Sequence, residues 1–512
     1  MMEKQFNPTI GKTVLETLTS GMYDDARFIF REYIQNAADQ IDVAVELGIL
    51  KEKSEGKIDI TIDSVSKLII VNDNATGVSE KEVLRFLGDV ANSQKDSVRQ
   101  KGFRGIGRLG GLGYCDKLIF ETSYFGESVK SKMTLDAKLL KKIIENRNDN
   151  SDAAAAISII TKIEKTEEEV DKHYFRVTLN NAFNTVLDTN KVTEYLSMVA
   201  PVPFAANFSF IEEIKSYLKN KNAVLDEYNV EINGETLFKR YKNTFLGRNE
   251  EESKLIGVDF VDILDDDQNL LAVCWYGYRA LSNVKLSDLD YEKGIRLRTK
   301  NIAIGNEMTC NRFFGQERTN LRFIGEIHTV SDGFRPNARR DYFVENSTCL
   351  QFQEKAAEIF KLENLENRLA QAASKLHNGL DTIEKYNKVY ENFVENRGAF
   401  ENEATESFHL SRLTELKVKA LKAKNEIDRI IRKGSLSSNV GNLVDNILAD
   451  KTISLKGLSD SELEVSKYTP PVFDKLNEEQ KAVVLGIFEI LEEELDFYLS
   501  EQIKKRIVDK YN

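Results

Sequence analysis

The chain has 512 residues, of which 41 % are hydrophobic and 30 % are charged, and its formal net charge is −12. These proportions are typical of globular proteins and exclude an intrinsically disordered chain, while the length predicts about three domains. The acidic balance disfavours a broad DNA-coating surface, because such binding depends on lysine and arginine neutralising phosphates. The four cysteines and four histidines are scattered, which gives no support for a zinc site or a histidine-based hydrolase triad.

The sequence shows no membrane or export signal. No apolar run approaches the roughly 20 residues that a membrane-spanning helix needs. The first residues, MMEKQFNP, lack the apolar core of a signal peptide. We therefore expect a cytoplasmic protein that makes no membrane contact.

Helix-like and strand-like patterns follow one another along the first part of the chain. Residues 10–50 repeat apolar side chains at helical spacing, with a break at 21–23. The predicted strands are 57–63, 67–72, 117–123 and 175–179, with a helical insert at 135–147. This pattern predicts an α+β sandwich with long helices on one sheet face.

The pattern changes twice further along the chain. Strands at 227–232, 270–278, 294–303 and 325–330 predict a second α+β domain. Residues 350–432 are nearly free of proline and glycine, and their apolar spacing predicts a long helical hairpin or coiled coil. The predicted domains are 1–187 (nucleotide-binding), 188–347 (α+β middle domain), 348–433 (helical hairpin or coiled coil) and 434–512 (linker and C-terminal helices).

Three stretches of the first domain carry candidate chemistry. Glu32 and Asn36 are four residues apart and share a helix face, with Asp39 on the same side. A carboxylate that orients water beside an oxygen ligand suits Mg²⁺-assisted ATP hydrolysis, although a solvated helix face would show the same pattern. Asp73 follows an apolar strand and leads into a turn at Gly77. A carboxylate at this strand end can accept a hydrogen bond from an exocyclic amine. A plain Asp-Asn turn is the alternative.

The third stretch is rich in glycine. Its sequence is GFRGIG at 102–107, and further glycines follow at 110, 111 and 113. Such turns let backbone N–H groups approach phosphates closely. The stretch is not a Walker loop, because no Gly-Lys-Ser/Thr ends it.

In this order, the three stretches resemble the GHKL superfamily of gyrase, heat-shock-chaperone, histidine-kinase and MutL ATPases over residues 10–180, most closely the bacterial heat-shock-protein-90-like type. The resemblance implies a Bergerat-type fold, ATP and Mg²⁺ as cofactors, Glu32 as general base, Asn36 as Mg²⁺ ligand and Asp73 as the adenine contact. The other implied nucleotide contacts are Asp39, Gly77, Ser93, Lys95, Gly102, Gly105, Ile106, Gly107 and Thr178, with 92–101 as the ATP lid. Ala75 stands where the family usually has glycine, and the register of Thr178 stays open.

The second domain has a related signal. Its basic strand at 294–305 and the stretch DGFRPNARRD at 332–341 resemble the middle domain of the 90-kilodalton heat-shock chaperones, where an asparagine and an arginine reach the γ-phosphate. The resemblance puts Arg340 at the arginine position, with Arg339 as its rival and Asn337 beside it. An arginine pair on the surface beside a strand is the alternative.

Together these features predict an ATP hydrolase that works as a chaperone-like conformational clamp. We expect a homodimer that acts on a protein client. One alternative is a nucleic-acid clamp of the MutL or MORC type, which the acidic charge disfavours. Another is an ATP-sensing subunit of a bacterial defence or stress system, with a separate effector protein.

Overall fold

The computed structural model divides the chain into two compact units. The first comprises Met1–Arg279 and Val284–Glu366, and the second comprises Ala280–Asn283 and Asn367–Asn512. The structure describes residues 9–21, 25–88, 107–146, 148–246, 252–279, 286, 290–316, 319–361, 366–396, 400, 403–434, 444–445, 447–448, 453–457, 476–495 and 497–511. The predicted α+β class is confirmed, with sheets and helices in the first unit and helices in the second.

The helices of the first unit vary widely in length. A short π-helical turn, Thr17–Gly21, directly follows the first helix, which ends at Glu16. They are α1 Val14–Glu16, α2 Phe28–Glu46, α3 Val83–Gly88, α4 Ala137–Glu145, α5 Ala153–Ile160, α6 Thr189–Val199, α7 Ile211–Asn220 and α8 Ser347–Lys361. Within the described ranges, no helix of either unit combines the length and apolar character needed to cross a membrane.

The first sheet contains the strands that flank the sequence motifs. They are β1 Lys57–Asp63, β2 Leu68–Asp73, β3 Lys117–Ser123, β4 Val129–Asp136, β5 Thr161–Glu167, β6 Tyr174–Asn180, β7 Asn229–Ile232 and β8 Glu235–Thr236. Their order is β5-β4-β3-β6-β2-β1-β7-β8.

Side-chain alternation explains why α2 packs on this sheet. In β1, Ile58, Ile60 and Ile62 are buried, while the residues between them are half-buried or exposed. Successive side chains of a strand point to opposite faces, so one apolar face results. Helix α2 contacts β1 and β2, and its Ile34 and Ile41 belong to the same apolar core. The helix that carries Glu32 is thereby fixed against the strands that lead to Asp73.

The second sheet forms its own layer. Its strands are β9 Thr244–Leu246, β10 Glu252–Leu264, β11 Leu270–Arg279, β12 Gly294–Thr299, β13 Ile302–Ile304 and β14 Ile324–Thr329. Their order is β13-β12-β14-β11-β10-β9. Trp275 in β11 is fully buried and packs against the rings of Phe204, Phe208 and Tyr241.

The second unit is helical among its described residues. Its helices are α9 Glu366–Glu395, α10 Glu403–Gly434, α11 Glu478–Glu494 and α12 Phe497–Tyr511. Lys375 of α9 forms an ion pair with Glu426 of α10 at 2.8 Å, and Gly379 lies against Ile427. The long pair of helices predicted from the apolar spacing therefore packs side by side.

The sheets do not divide at the predicted domain boundary. Strand β7, predicted within 188–347, pairs in parallel with β1, so that Lys57 lies opposite Asn229 and the first sheet extends past residue 187. The helical insert predicted at 135–147 begins later, at Ala137, because the Asp136 side chain accepts a hydrogen bond from Leu139 N–H and caps the helix. Strands β4, β5, β8, β9 and β10 were not predicted.

Candidate active site

Helix α2 brings the predicted acidic and amide residues to one face. The side chains of Glu32 and Asp39 are buried, and Asn36 is half-buried. Gln35 lies between them on the same side of the helix and is 1 % exposed. Neither amide atom of Gln35 has a hydrogen-bond partner among the described residues, and the same holds for Glu32 Oε1. Buried polar atoms without partners are costly, so this face is suited to a polar ligand.

Glu32 lies beside positively charged groups. Arg340 Nε is 2.8 Å from Glu32 Oε1, and an Arg31 guanidinium nitrogen is 3.9 Å from the same oxygen. Arg340 and Arg31 are 7 % and 5 % exposed. The contact with Arg340 is an ion pair whose angles fall short of a hydrogen bond. The charge of the buried carboxylate is thus balanced, while its hydrogen-bonding capacity is not filled.

The loop after β14 positions Arg340. Asn337 N–H donates to the carbonyl of Tyr342 at 2.9 Å, and Gly305 N–H donates to the carbonyl of Arg340 at 2.8 Å. Arg340 has a φ of 55°, in the left-handed region that side chains other than glycine rarely adopt. Arg339 is exposed, so of the two arginines the structure brings Arg340 to Glu32. The Asn337 side chain donates to Asp341 at 2.5 Å.

The end of the glycine-rich stretch lies against α2. A Cβ atom at Gly107 would come within 2.2 Å of Glu32 Oε2. Gly110 and Gly111 are close to the Phe28 ring and the Tyr33 hydroxyl, so these two glycines serve packing. The remaining sites predicted for the phosphates and the lid lie outside the described residues. They are Ser93, Lys95, Gly102, Gly105 and Ile106.

Asp73 ends β2 in a buried position. It is 4 % exposed, and burial raises the pKa of its carboxyl to about 7. Ala75 N–H donates to it at 3.0 Å. A buried carboxylate of this kind gains stability from any further hydrogen-bond donor that reaches it, such as an exocyclic amine.

The turn after Asp73 requires glycine at position 77. Gly77 has a φ of 69°, and a Cβ there would lie 1.9 Å from the Ser123 carbonyl oxygen. The Thr122 hydroxyl accepts a hydrogen bond from Val78 N–H at 2.8 Å and donates to the Tyr174 carbonyl at 2.9 Å. The turn is therefore held against β3 and β6.

The structure does not bring Thr178 to Asp73. Thr178 pairs with Ile70, whereas Asp73 pairs with Phe175. Because side chains alternate along a strand, Thr178 lies on the opposite sheet face. His173, which the sequence reasoning missed, contacts the turn after Asp73: its Nδ1 is 2.7 Å from the Ala75 carbonyl oxygen. Gln35 was also missed, although its spacing from Glu32 could have pointed to it.

Comparisons with known proteins cover the part of this site that lies in the first sheet and helix α2. A family model described as histidine kinase-, DNA gyrase B-, and HSP90-like ATPase matches residues 29–170. This range includes Glu32, Asn36, Asp73, Gly77 and Gly107.

Curated relatives share the name chaperone protein HtpG. That of Borrelia garinii subsp. bavariensis is 24 % identical over 267 residues, covering 48 % of this chain and 41 % of the relative. That of Borreliella afzelii is 35 % identical over 97 residues, covering 18 % and 15 %. That of Polaromonas naphthalenivorans is 27 % identical over 130 residues, covering 22 % and 21 %.

The chain spans less than half the length of each of these relatives. The resemblance seen in the N-terminal motifs is confirmed for the range that the family model matches. Residues 29–170 match the model of the histidine kinase-, DNA gyrase B-, and HSP90-like ATPase family, to which the chain is similar over this range.

Proposed function

We propose that the protein is a Mg²⁺-dependent ATP hydrolase. The observation that supports this most directly is the meeting of three chain segments at Glu32. Helix α2 carries the carboxylate, Gly107 brings the end of the glycine-rich stretch against it, and Arg340 reaches it from the loop after β14. A proton acceptor, a close backbone approach and a guanidinium in one buried place suit phosphoryl transfer to water.

Each residue has a distinct role in this proposal. Glu32 orients the attacking water and accepts its proton. Asn36 offers an amide oxygen to Mg²⁺, a cation that prefers oxygen ligands and keeps phosphate oxygens in its shell. Arg340 lies where negative charge develops. Asp73 accepts a hydrogen bond from the adenine amine. Bound magnesium and triphosphate supply the reacting phosphorus and part of the charge neutralisation.

We also propose that ATP turnover drives a chaperone-like clamp that works as a homodimer on a protein client. The shared name of the relatives and the long helices α9 and α10 favour this over a nucleic-acid clamp. Light scattering should give twice the chain mass of 58.3 kDa. Stimulation of the ATPase by DNA would favour the nucleic-acid clamp instead, and a co-purifying effector would favour the sensor subunit.

ATP hydrolysis by Glu32→Gln tests the proposed reaction. Loss of a positioned general base lowers turnover by about 10²- to 10⁴-fold, and we expect ATP binding to persist. Glu46→Gln is a matched control, because Glu46 is an exposed residue at the end of the same helix. Normal turnover by Glu32→Gln would refute the role of Glu32, and so would a loss of ATP binding.

A further inference from the structure

We propose that Arg340 exchanges between two anionic partners, the Glu32 carboxylate and the γ-phosphate of ATP. Glu32 stays paired with a guanidinium until a triphosphate withdraws it, so ATP itself releases the base that hydrolyses it. ADP, which lacks the γ-phosphate, leaves the pair intact. This inference rests on the proposed function and concerns regulation of the same site.

The ion pair is placed where exchange has large effects. Arg340 and Glu32 are both more than nine-tenths buried, and 2.8 Å separates their charged atoms. A buried charge that loses its partner is strongly destabilised, so each group needs a replacement when the pair opens. Arg31, 3.9 Å from the same oxygen, remains on Glu32 when Arg340 leaves.

The pair is also one that a phosphate can outcompete. Glu32 Oε1 and Arg340 Nε are close without meeting hydrogen-bond angles. A phosphoryl group offers several oxygens that accept well-formed, charge-assisted hydrogen bonds from a guanidinium. Exchange therefore replaces an imperfect contact with a better one.

The two anionic partners lie within reach of a single side chain. Gly107 approaches Glu32 so closely that no side chain would fit between them. A γ-phosphate bound at Gly107 would therefore lie next to Glu32. The Arg340 backbone is fixed by the Gly305 N–H, so the guanidinium can change partners by side-chain rotation.

Exchange has a chemical consequence for the base. A guanidinium nitrogen 2.8 Å from Glu32 Oε1 occupies the position from which a water molecule would contact this oxygen. Moving Arg340 to the phosphate frees Glu32 Oε1 for the attacking water and places positive charge on the phosphoryl group in the same event. Hydrolysis then starts only when the triphosphate is in place.

Nucleotide binding by the full chain tests the exchange. Wild type, Glu32→Gln, Arg340→Gln, the double variant and the control Arg335→Gln, an exposed arginine of the same loop, are titrated with Mg²⁺-ADP and with the β,γ-imido analogue of ATP. With the competing carboxylate removed, Glu32→Gln should bind the triphosphate about tenfold more tightly relative to ADP, which corresponds to about 1.4 kcal/mol.

The double variant separates exchange from simple repulsion between Glu32 and the triphosphate. If Arg340 exchanges partners, Glu32→Gln should no longer tighten triphosphate binding when it is combined with Arg340→Gln. An equal gain in both backgrounds, or no gain at all, would overturn the proposal. A wild type that binds both nucleotides but does not hydrolyse ATP would refute the proposed function and leave this comparison decisive.

Hydrogen exchange without nucleotide provides a second readout. If Glu32 anchors the loop, Glu32→Gln and Arg340→Gln should each speed amide exchange at 336–343 by about tenfold, as expected when local opening costs about 1.4 kcal/mol less. Arg335→Gln should exchange like wild type. Wild-type exchange rates in Glu32→Gln would show that the pair does not hold the loop, and would overturn the proposal even for a protein that bound no nucleotide.

Discussion

Two buried glutamates of the first unit have opposite surroundings. Glu326 in β14 is contacted by Arg298 Nε at 2.5 Å, Lys239 Nζ at 2.9 Å, His328 Nε2 at 2.9 Å and the Tyr241 hydroxyl at 3.2 Å. Glu32 has an ion pair with Arg340 and an oxygen that accepts no hydrogen bond among the described residues. Both carboxylates are buried, but only in Glu326 do both oxygens accept hydrogen bonds.

The pKa values around Glu326 show how tightly that cluster is coupled. Burial alone would raise the pKa of Glu326, yet Arg298 and Lys239 outweigh it and hold the pKa well below its usual range. Burial, reinforced by Arg298, lowers the pKa of Lys239 to about 7. A satisfied buried network fixes structure, whereas a buried carboxylate with unfilled capacity is suited to chemistry.

The largest effect on stability should come from Glu326→Gln. This change leaves buried cations without their counter-ion and should cost about 3–5 kcal/mol of unfolding free energy. Urea unfolding measures it. Glu252→Gln, at an exposed position of β10, should stay within about 0.5 kcal/mol of wild type. If Glu326→Gln were as stable as this control, the contrast between the two glutamates would be lost.

Arg340→Gln should lower the rate of ATP turnover. Removing one preformed charge-stabilising donor lowers kcat by about 10²- to 10³-fold. Arg339→Gln should have a much smaller effect, because Arg339 is exposed. Steady-state ATP hydrolysis by the two variants decides between the arginines. A larger loss in Arg339→Gln would mean that the neighbouring arginine acts on the phosphate.

A further prediction concerns the Asp73 carboxyl and the pH dependence of stability. Its pKa is raised from 3.8 to about 7, so between these values the folded protein binds more protons than the unfolded chain. Stability should therefore fall as pH rises from about 4 to about 7, by at most about 1.4 kcal/mol per pH unit. Asp73→Asn should remove this slope from urea unfolding measured at about pH 5, 6 and 7. An unchanged slope would assign the pH dependence to other groups.

Local patterns predicted the parts of the site that depend on local geometry. The spacing of Glu32 and Asn36 placed both on one face of a helix, and the apolar run at 68–71 put Asp73 at a strand end. The turn at Gly77 was also foreseen, and the structure adds its reason, the close approach to the Ser123 carbonyl.

Features that depend on pairing between distant segments of the chain could not be predicted from local sequence patterns. Thr178 was expected at the nucleotide, but strand register set by pairing with β2 puts it on the other face and leaves His173 near Ala75. No local spacing rule predicts that β7 joins the first sheet. Arg340 came from a resemblance, and its contact with Glu32 needed the structure.

Single-turnover ATP hydrolysis by wild type, Glu32→Gln, Arg340→Gln and the double variant tests most directly whether Glu32 and Arg340 act as one unit. Residues that act together are strongly non-additive. The double variant should therefore be no slower than the slower of the two single variants. Rate losses that multiply in the double variant would contradict the account, because the carboxylate and the guanidinium would then act independently.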